Sequence, residues 1–358
     1  MDRSDVLRAR LATQRLEGPP AATPLQVVSE LLCVQSQDAP LARSMIALRC
    51  EVGMDAGVRA SIAAGEIVRT HILRPTWHYV AASDLRWLLR LTSPKVESGM
   101  AARHRQLGLQ EPRLAAALEV LEARLRGRAF VNRPVLGATL AQAGLLAPED
   151  PLFGQQVGHV LLLAELRGLI CSAPLDAAEH SYALLEEVVP AAPERDREQA
   201  ITELVARFIF GHGPVALSDL MRWTKVTLTE ARAAVAGLGD AVERIVVDGE
   251  ELWHAPASAL PTTRPNDAWL LSTFDEAFLT YRTVHLPRSA GHPSGADPYR
   301  FAEAGGGIVS LGLEDVGAWK RTRVRGQVRI TLDVDQTLSR AGRTAIDAAV
   351  ERLVATIG

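Results

Sequence analysis

Residues 227–254 read TLTEARAAVAGLGDAVERIVVDGEELWH, and this stretch predicts a helix followed by a tight β-hairpin. Thr227 and Glu230 have the spacing of a capping box, in which a threonine oxygen and a glutamate carboxylate bind free backbone amides at a helix start. Beyond the helix, β-rich runs flank Asp248 and Gly249, and Asp-Gly is a strong sequence signal of a two-residue hairpin turn. The stretch therefore forms a helix and hairpin unit.

Two further helical segments precede this unit, at residues 198–211 and 217–223. Three helices followed by a hairpin have the order of a winged helix. The same order returns near the N-terminus, as expected for repeated modules whose residue identity has faded. There the pattern predicts helices at residues 5–17 and 25–34, a third helix that follows Asp38 and ends at Cys50, and strands at residues 67–72 and 76–80.

A weaker copy lies between these two modules. It consists of predicted helices at residues 136–143 and 153–168, a hairpin within residues 169–184 and an acidic, proline-containing linker at residues 186–198. After residue 258 the apolar residues alternate as they do in strands. That part of the chain predicts strands at residues 269–274, 308–313, 316–320 and 328–334, a mobile loop at residues 288–307 and a closing helix at residues 340–357.

These patterns predict an α+β protein with three tandem winged-helix modules and a small C-terminal β-rich unit. The modules are expected at residues 1–82, 83–185 and 186–258, the last with its preceding linker, and the C-terminal α+β unit at residues 259–358. A length of 358 residues, with 47% apolar and 23% charged residues, is consistent with several globular modules.

The cysteines and the hydropathy exclude several classes of protein. Cys33, Cys50 and Cys171 lack the paired spacing of zinc sites or disulfide frameworks, so we expect buried thiols in a reducing compartment. No apolar run approaches the roughly 20 residues that a membrane span needs, and no export signal is visible. We therefore expect a cytoplasmic protein without a metal or other cofactor.

Charge is unevenly distributed along the chain. A formal net charge of −3 does not favour nucleic-acid binding, but a basic cluster can still form one positive face. That cluster comprises Lys320, Arg321, Arg323, Arg325 and Arg329. Only three of the 39 basic residues are lysines, which disfavours Schiff-base chemistry and favours hydrolysis by water.

Four segments of the chain resemble one family. They are LCVQSQD at residues 32–38, RTHILRPTWH at residues 69–78, FDE at residues 274–276 and GAWKR at residues 317–321. Their order and spread resemble the tandem winged-helix DNA glycosylases, above all the bacterial crosslink-unhooking enzymes of the azinomycin-resistance type. Pro75 departs from the pattern, because the family's hairpin usually has a glycine there, so the turn can differ in shape.

The resemblance implies a function and a site. In that family a Gln-x-Gln motif is catalytic, a related branch carries Gln-x-Asp, and the match here falls on Gln35 and Gln37. It implies a monomeric, monofunctional glycosylase that binds double-stranded DNA and hydrolyses the glycosidic bond of N7-alkylguanine, with N3-alkyladenine as a second candidate. Bulky and interstrand-crosslinked adducts are included, the product is an abasic site, and the modules are expected around a concave DNA channel.

Two glutamines at this spacing can perform such chemistry. Residues two apart share a face only in extended backbone, so the motif must lie at a helix break, which Asp38 and Pro40 supply. Neutral amides both donate and accept hydrogen bonds, and a pair can hold one water beside the anomeric carbon. From the spacing alone, solvated glutamines at a helix end are the commoner interpretation, and the resemblance favours catalysis.

Other polar residues divide into candidate DNA contacts and structural groups. Candidate DNA contacts are Arg69, Arg74, Thr76, His78, Lys320, Arg321, Arg323 and Arg325. For His78 a half-buried structural role is equally consistent with the pattern, and the basic C-terminal segment, with a tight turn at Gly326, can also be a solvated β edge. Neighbouring side chains diverge, so Asp275 is expected to cap a helix rather than share acid and base roles with Glu276. The run Gly305–Gly307 is expected to be a flexible loop.

The alternative function is a non-catalytic winged-helix regulator, for which the same modules would suffice. A regulator would give a sequence-specific footprint without base release. An enzyme would act on lesions in arbitrary sequence.

Overall fold

The computed structural model describes residues 1–51, 55–174, 180–256, 267–293, 295, 305–325 and 327–357. It divides into two compact units, one formed by residues 1–58 and 201–358 and the other by residues 59–200. In chain order the elements are α1 Arg3–Thr13, α2 Pro24–Glu30, β1 Cys33–Gln35, α3 Ala39–Ala47, α4 Asp55–Ala63, β2 Ile67–Ile72, β3 Arg74–Ala81, α5 Ala82–Gln106, α6 Arg113–Leu125, β4 Val131–Asn132, α7 Arg133–Gln142, α8 Phe153–Leu166, β5 Ile170–Ser172, β6 Ser181–Leu184, α9 Leu185–Val188, α10 Arg197–His212, α11 Leu217–Thr224, α12 Leu228–Leu238, β7 Glu243–Val247, β8 Glu250–His254, β9 Ala268–Ser272, α13 Glu276–Leu279, β10 Gly306–Leu311, β11 Glu314–Val324, β12 Gln327–Val334 and α14 Arg340–Ile357. None of the described helices is long and apolar enough to cross a membrane.

The first unit is organised by a four-stranded antiparallel sheet in the order β12-β11-β10-β9. Successive side chains of a strand point to opposite faces, and both faces of this sheet are apolar. Leu270 and Val309 pack on one face with residues of α3 and α14. Their neighbours Leu271 and Ile308 pack on the other face against Leu11 of α1. The part of the sheet formed by β9 and β10 is therefore covered on both faces.

Strand β10 begins earlier than the sequence pattern predicted. Gly306 and Gly307 pair with β9 and β11, so the prediction of a flexible loop at these glycines was wrong. A Cβ atom at Gly307 would overlap the carbonyl oxygen of Leu271, which means that the close strand approach requires glycine there. The loop predicted at residues 288–307 lies partly outside the described residues.

The helix and hairpin unit at residues 227–254 is confirmed. Thr227 is the N-cap of α12, and its hydroxyl and amide form reciprocal hydrogen bonds with Glu230. Strands β7 and β8 pair across Asp248 and Gly249, whose φ angles are 53° and 81°. Two positive φ angles are what a two-residue turn of the I′ type requires.

The second unit combines helices α5 to α8 with two small sheets. Strands β2 and β3 form the antiparallel hairpin predicted at residues 67–80, and in a second sheet β6 pairs with both β4 and β5. The core lies between α6, α7 and α8 around Leu121, Leu136 and Val160, all without solvent exposure. The long helix α5 was not predicted, because it contains Pro94 and its N-cap residue, Ala81, has no side chain that can bind the first free amides.

Two N-terminal and linker predictions need correction. The helix predicted at residues 25–34 ends at Glu30, because Leu32 adopts a φ of 66° that a helix cannot contain, and β1 follows. The predicted linker at residues 186–198 overlaps the short helix α9 at its start.

One buried ion pair ties α3 to the sheet of the first unit. The Arg49 guanidinium, 1% exposed, donates to both carboxylate oxygens of Asp275 over 2.7 and 3.0 Å, and Asp275 is fully buried. Arg49 also donates to the carbonyl oxygens of Gln14 and Met45, each over 2.8 Å. Both charges are therefore compensated away from water, as buried ions must be.

We expect Asp275→Ala to lower the free energy of unfolding by about 3 to 5 kcal/mol, because Arg49 would stay buried without its carboxylate. Denaturant-induced unfolding followed by circular dichroism measures this change. Glu251→Ala is the control: its ion pair with Arg244 joins side chains that are 58% and 56% exposed, and its loss should cost less than about 1 kcal/mol. An equally small loss for Asp275→Ala would contradict the expected contribution of the buried pair.

Candidate active site

Gln35 and Gln37 lie between two helices, as the sequence predicted, but only Gln35 is in extended backbone. Gln35 is the last residue of β1 and is 8% exposed, whereas Gln37 is exposed in the bend before α3. Ser36 between them is 1% exposed. The segment thus presents one glutamine to solvent and keeps the other within the protein.

A buried carboxylate holds the first glutamine by its backbone. The amide of Gln35 donates to Glu276 Oε1 over 3.3 Å, and Glu276 is 1% exposed. The other oxygen, Oε2, accepts from the Trp223 indole over 2.8 Å and from the Thr280 hydroxyl over 3.0 Å. His212 Nε2 lies 3.6 Å from the same oxygen. Glu276 therefore connects the Gln-x-Gln segment to helices α11 and α13.

Asp38 holds the other end of the segment. Its Oδ1 accepts from the amide of Leu41 over 3.1 Å and caps α3, while its Oδ2 accepts from Arg321 Nη2 over 2.6 Å. Both side chains are largely buried, with Asp38 23% and Arg321 15% exposed. The predicted helix start after Asp38 is confirmed, and Arg321 fixes the residue that follows Gln37.

The predicted basic segment forms the long hairpin of β11 and β12. Lys320 and Arg321 are partly buried, and Arg323 and Arg325 are exposed towards the end of the hairpin. Val324 between those two arginines is 44% exposed. Gly326, where a tight turn was predicted, lies outside the described residues. The freely accessible cations of this hairpin thus follow Arg321 in the chain.

In the second unit, Arg74, Thr76 and His78 share one face of β3, as their alternation predicted. His78 is fully buried; its Nδ1 lies 3.0 Å from the Thr76 carbonyl oxygen and its Nε2 lies 3.0 Å from Arg74 Nη2. A carbonyl oxygen can only accept, so Nδ1 carries the proton and Nε2 accepts from the arginine. The buried His78 ring therefore holds the Arg74 guanidinium through this hydrogen bond.

Arg69 lies on the neighbouring strand of the same unit. Its guanidinium stacks over the Trp77 ring with 4.5 Å to the centroid. The imidazole of His71 packs against the same ring, with 4.4 Å between ring centroids, and its Nδ1 forms a hydrogen bond with buried Glu165. Arg69 is thus placed on an aromatic surface, a common arrangement for a cation that is partly desolvated.

Asp275 and Glu276 take different directions, as expected for adjacent residues at a helix start. Asp275 caps α13 through the amide of Ala277 over 2.8 Å, which confirms its predicted structural role. Glu276 turns to Gln35 instead, a contact that sequence reasoning missed. The motif FDE at residues 274–276 predicted a helix start. It carried no information about the distant partner of Glu276.

The described residues do not favour a nucleophilic thiol or a metal site. Burial raises the pKa of Cys50 to about 11 and that of Cys171 to about 12, so both are protonated at neutral pH. Within the described ranges, no three His, Cys, Asp or Glu side chains are grouped as ligands for a metal ion.

A family model described as "DNA glycosylase AlkZ-like" matches residues 28–356. The chain belongs to the AlkZ-like DNA glycosylase family. Among solved structures it is similar to the Streptomyces sahachiroi DNA glycosylase AlkZ, with a TM-score of 0.73 and 18% identity over 100% of this chain and 97% of that one. No curated protein sequence matches. The protein is therefore a DNA glycosylase, and the structural likeness shows that the two share a fold.

In this AlkZ-like glycosylase, Asp38→Ala should destabilise the protein more than Asp38→Asn. Asparagine can still cap α3 but loses the ion pair with Arg321, whereas alanine loses both. The difference in unfolding free energy should be about 0.5 to 2 kcal/mol, the range for an N-cap. Arg321→Gln removes the ion pair from the other side and should resemble Asp38→Asn. Equal stability of the two Asp38 variants would show that the cap contributes nothing.

Proposed function

We propose that this glycosylase hydrolyses the bond between an N7-alkylated guanine and its deoxyribose, with Gln35 and Gln37 directing the water. N3-alkyladenine is a second candidate lesion, and no cofactor is required. The observation that carries the proposal is the segment from Gln35 to Gln37, which runs from the end of β1 into a bend, is held at both ends and exposes Gln37. Preorganisation of this kind is what positioning of a reactant needs.

The reaction places modest demands on acid catalysis. Alkylation at N7 makes the purine cationic, so the electron pair of the breaking C1′–N9 bond neutralises the leaving base. The sugar becomes oxocarbenium-like, and the water oxygen bonds to C1′ while its proton passes to solvent. Free alkylguanine and an abasic site result. Amide oxygens of the two glutamines can accept from the water and stabilise the developing positive charge.

We expect Gln35→Ala and Gln37→Ala each to lower the single-turnover rate of base release by about 10²- to 10³-fold, the range for one preorganised polar group. The assay incubates the enzyme with duplex DNA that contains 7-methylguanine and quantifies the free base by mass spectrometry. DNA affinity should change little, because the glutamines act on the water and sugar rather than on phosphates.

Two further variants make this test specific. Gln199→Ala changes an exposed glutamine at the start of α10 and should leave the rate unchanged. Gln37→Asp should retain more activity than Gln37→Ala, since a carboxylate still accepts from water. Undiminished base release by both alanine variants would remove the motif from the mechanism. Binding to one defined sequence without any base release would instead favour a regulator.

We also propose that three winged-helix modules bind the duplex, at residues 1–82, 83–185 and 186–258, followed by the C-terminal unit at residues 259–358. The support is that each module contains helices followed by an antiparallel hairpin. A crosslinked base is tethered to both strands and resists full extrusion, so such adducts require an open, concave site. Exposure of Gln37 is consistent with this requirement. We propose a monomer as the active form.

DNA contacts are proposed for both units. In the second unit they involve Arg69, Arg74, Thr76 and His78, with His78 acting through Arg74. In the first unit they are made by the hairpin of β11 and β12, where Lys320 and Arg321 are partly buried and the exposed cations follow them. Exposed arginines around an apolar tip residue suit phosphate contacts and a groove-probing hairpin.

Arg323→Ala and Arg325→Ala should each weaken DNA binding and reduce the slope of log affinity against log salt by about 1, because each removes one phosphate contact. Fluorescence anisotropy with an undamaged duplex over a series of salt concentrations measures both quantities. Arg340→Ala, at the exposed start of α14, is the matched control and should leave the slope unchanged. Slopes equal to that of the wild-type protein would show that the hairpin does not contact phosphates.

A further inference from the structure

The buried carboxylate of Glu276 has no role in the reaction described above. It lies 241 residues away from Gln35 in the chain, yet it accepts a hydrogen bond from the Gln35 backbone amide over 3.3 Å. Hydrogen bonds to a catalytic residue's backbone fix the point from which its side chain projects. The contact therefore links this carboxylate to the reaction without any contact to substrate.

Glu276 is itself held rigidly. Its Oε2 accepts from Trp223 and Thr280, and only 1% of its surface is exposed. The Trp223 ring is 1% exposed and packs against Phe208 with 5.1 Å between ring centroids. Oxygen Oε1 is thereby left facing Gln35, because Oε2 is held by Trp223 of α11 and by Thr280 at the end of α13.

The three donors around Glu276 explain why a carboxylate is needed here. A carboxylate accepts with both oxygens, whereas a glutamine amide has one accepting oxygen and one donating nitrogen. If glutamine replaced Glu276, its NH₂ group would face the hydrogen-bond donors on one side. Either the Gln35 backbone amide or the Trp223 indole would lose its acceptor, and both of these groups can only donate.

We propose that Glu276 is a positioning residue for Gln35: its carboxylate fixes the end of β1 so that the glutamine amide is aligned with the water. This inference rests on the proposed catalytic role of Gln35. Glu276 acts through Gln35 and does not touch the substrate. Its substitution should therefore impair the chemical step and leave DNA affinity intact.

The test is a double-mutant cycle on Glu276→Gln and Gln35→Ala. The single-turnover rate of 7-methylguanine release, the affinity for 7-methylguanine duplex and the melting temperature are measured for each protein. Glu276→Gln alone should slow release by about 10- to 100-fold. This is the range for hydrogen-bond partners that orient the residues of a metal site, which we take as the guide for Glu276. In the Gln35→Ala background, Glu276→Gln should slow release by less than threefold, because the side chain that Glu276 orients is absent.

Glu165→Gln is the matched control, since Glu165 is a fully buried glutamate of the second unit with a different partner, His71. Any effect of this variant on the rate should be the same with and without Gln35→Ala. The control thereby separates loss of stability from loss of positioning. Trp223→Phe keeps an aromatic side chain but removes one donor to Glu276, and should slow release less than Glu276→Gln.

The outcomes distinguish the two proposals. If Gln35→Ala does not slow base release, the proposed role of Gln35 fails, and this inference fails with it. If Gln35→Ala slows release but Glu276→Gln has the same effect with and without Gln35, only the positioning role is overturned. A slower rate that is accounted for by weaker DNA binding would also overturn it.

Discussion

Arg49 and Asp275 are buried together, and neither charge would be tolerated alone at that place. Their bidentate contact fixes the C-terminal end of α3 to the turn between β9 and α13. The residue after Asp275 is Glu276, so the same contact determines where the second carboxylate lies. An interaction without any part in the chemistry thus sets the position of the group that binds Gln35.

The C-terminal sheet is therefore part of the candidate active site. Both anchors of the Gln-x-Gln segment come from it or from its connecting turn: Glu276 binds Gln35 across 241 residues, and Arg321 binds Asp38 across 283 residues. The sheet can act in this way because α3 packs on one of its faces together with α14. Long-range contacts of this kind hold the Gln-x-Gln segment in one position.

The sequence predicted features that depend on neighbouring residues. The caps at Thr227 and Asp275 follow from side chains that bind the next free amides, and both are present in the structure, as is the predicted helix start after Asp38. Features that depend on distant residues were missed. Nothing near Arg49 or Glu276 in the chain indicates their partners, because fold contacts bring those together. The glycine pair at the start of β10 belongs to the same class, since its reason is a neighbouring strand.

The arrangement of the two anchors also bears on how such a protein can be divided. A fragment that ends before β9 would keep both glutamines, the α3 cap and every residue of the first three predicted modules. It would lack the carboxylate behind Gln35 and the guanidinium beside Asp38, and Arg49 would have lost its counter-ion. Dissection into separately expressed pieces would therefore separate the two glutamines from the residues that hold their segment in place.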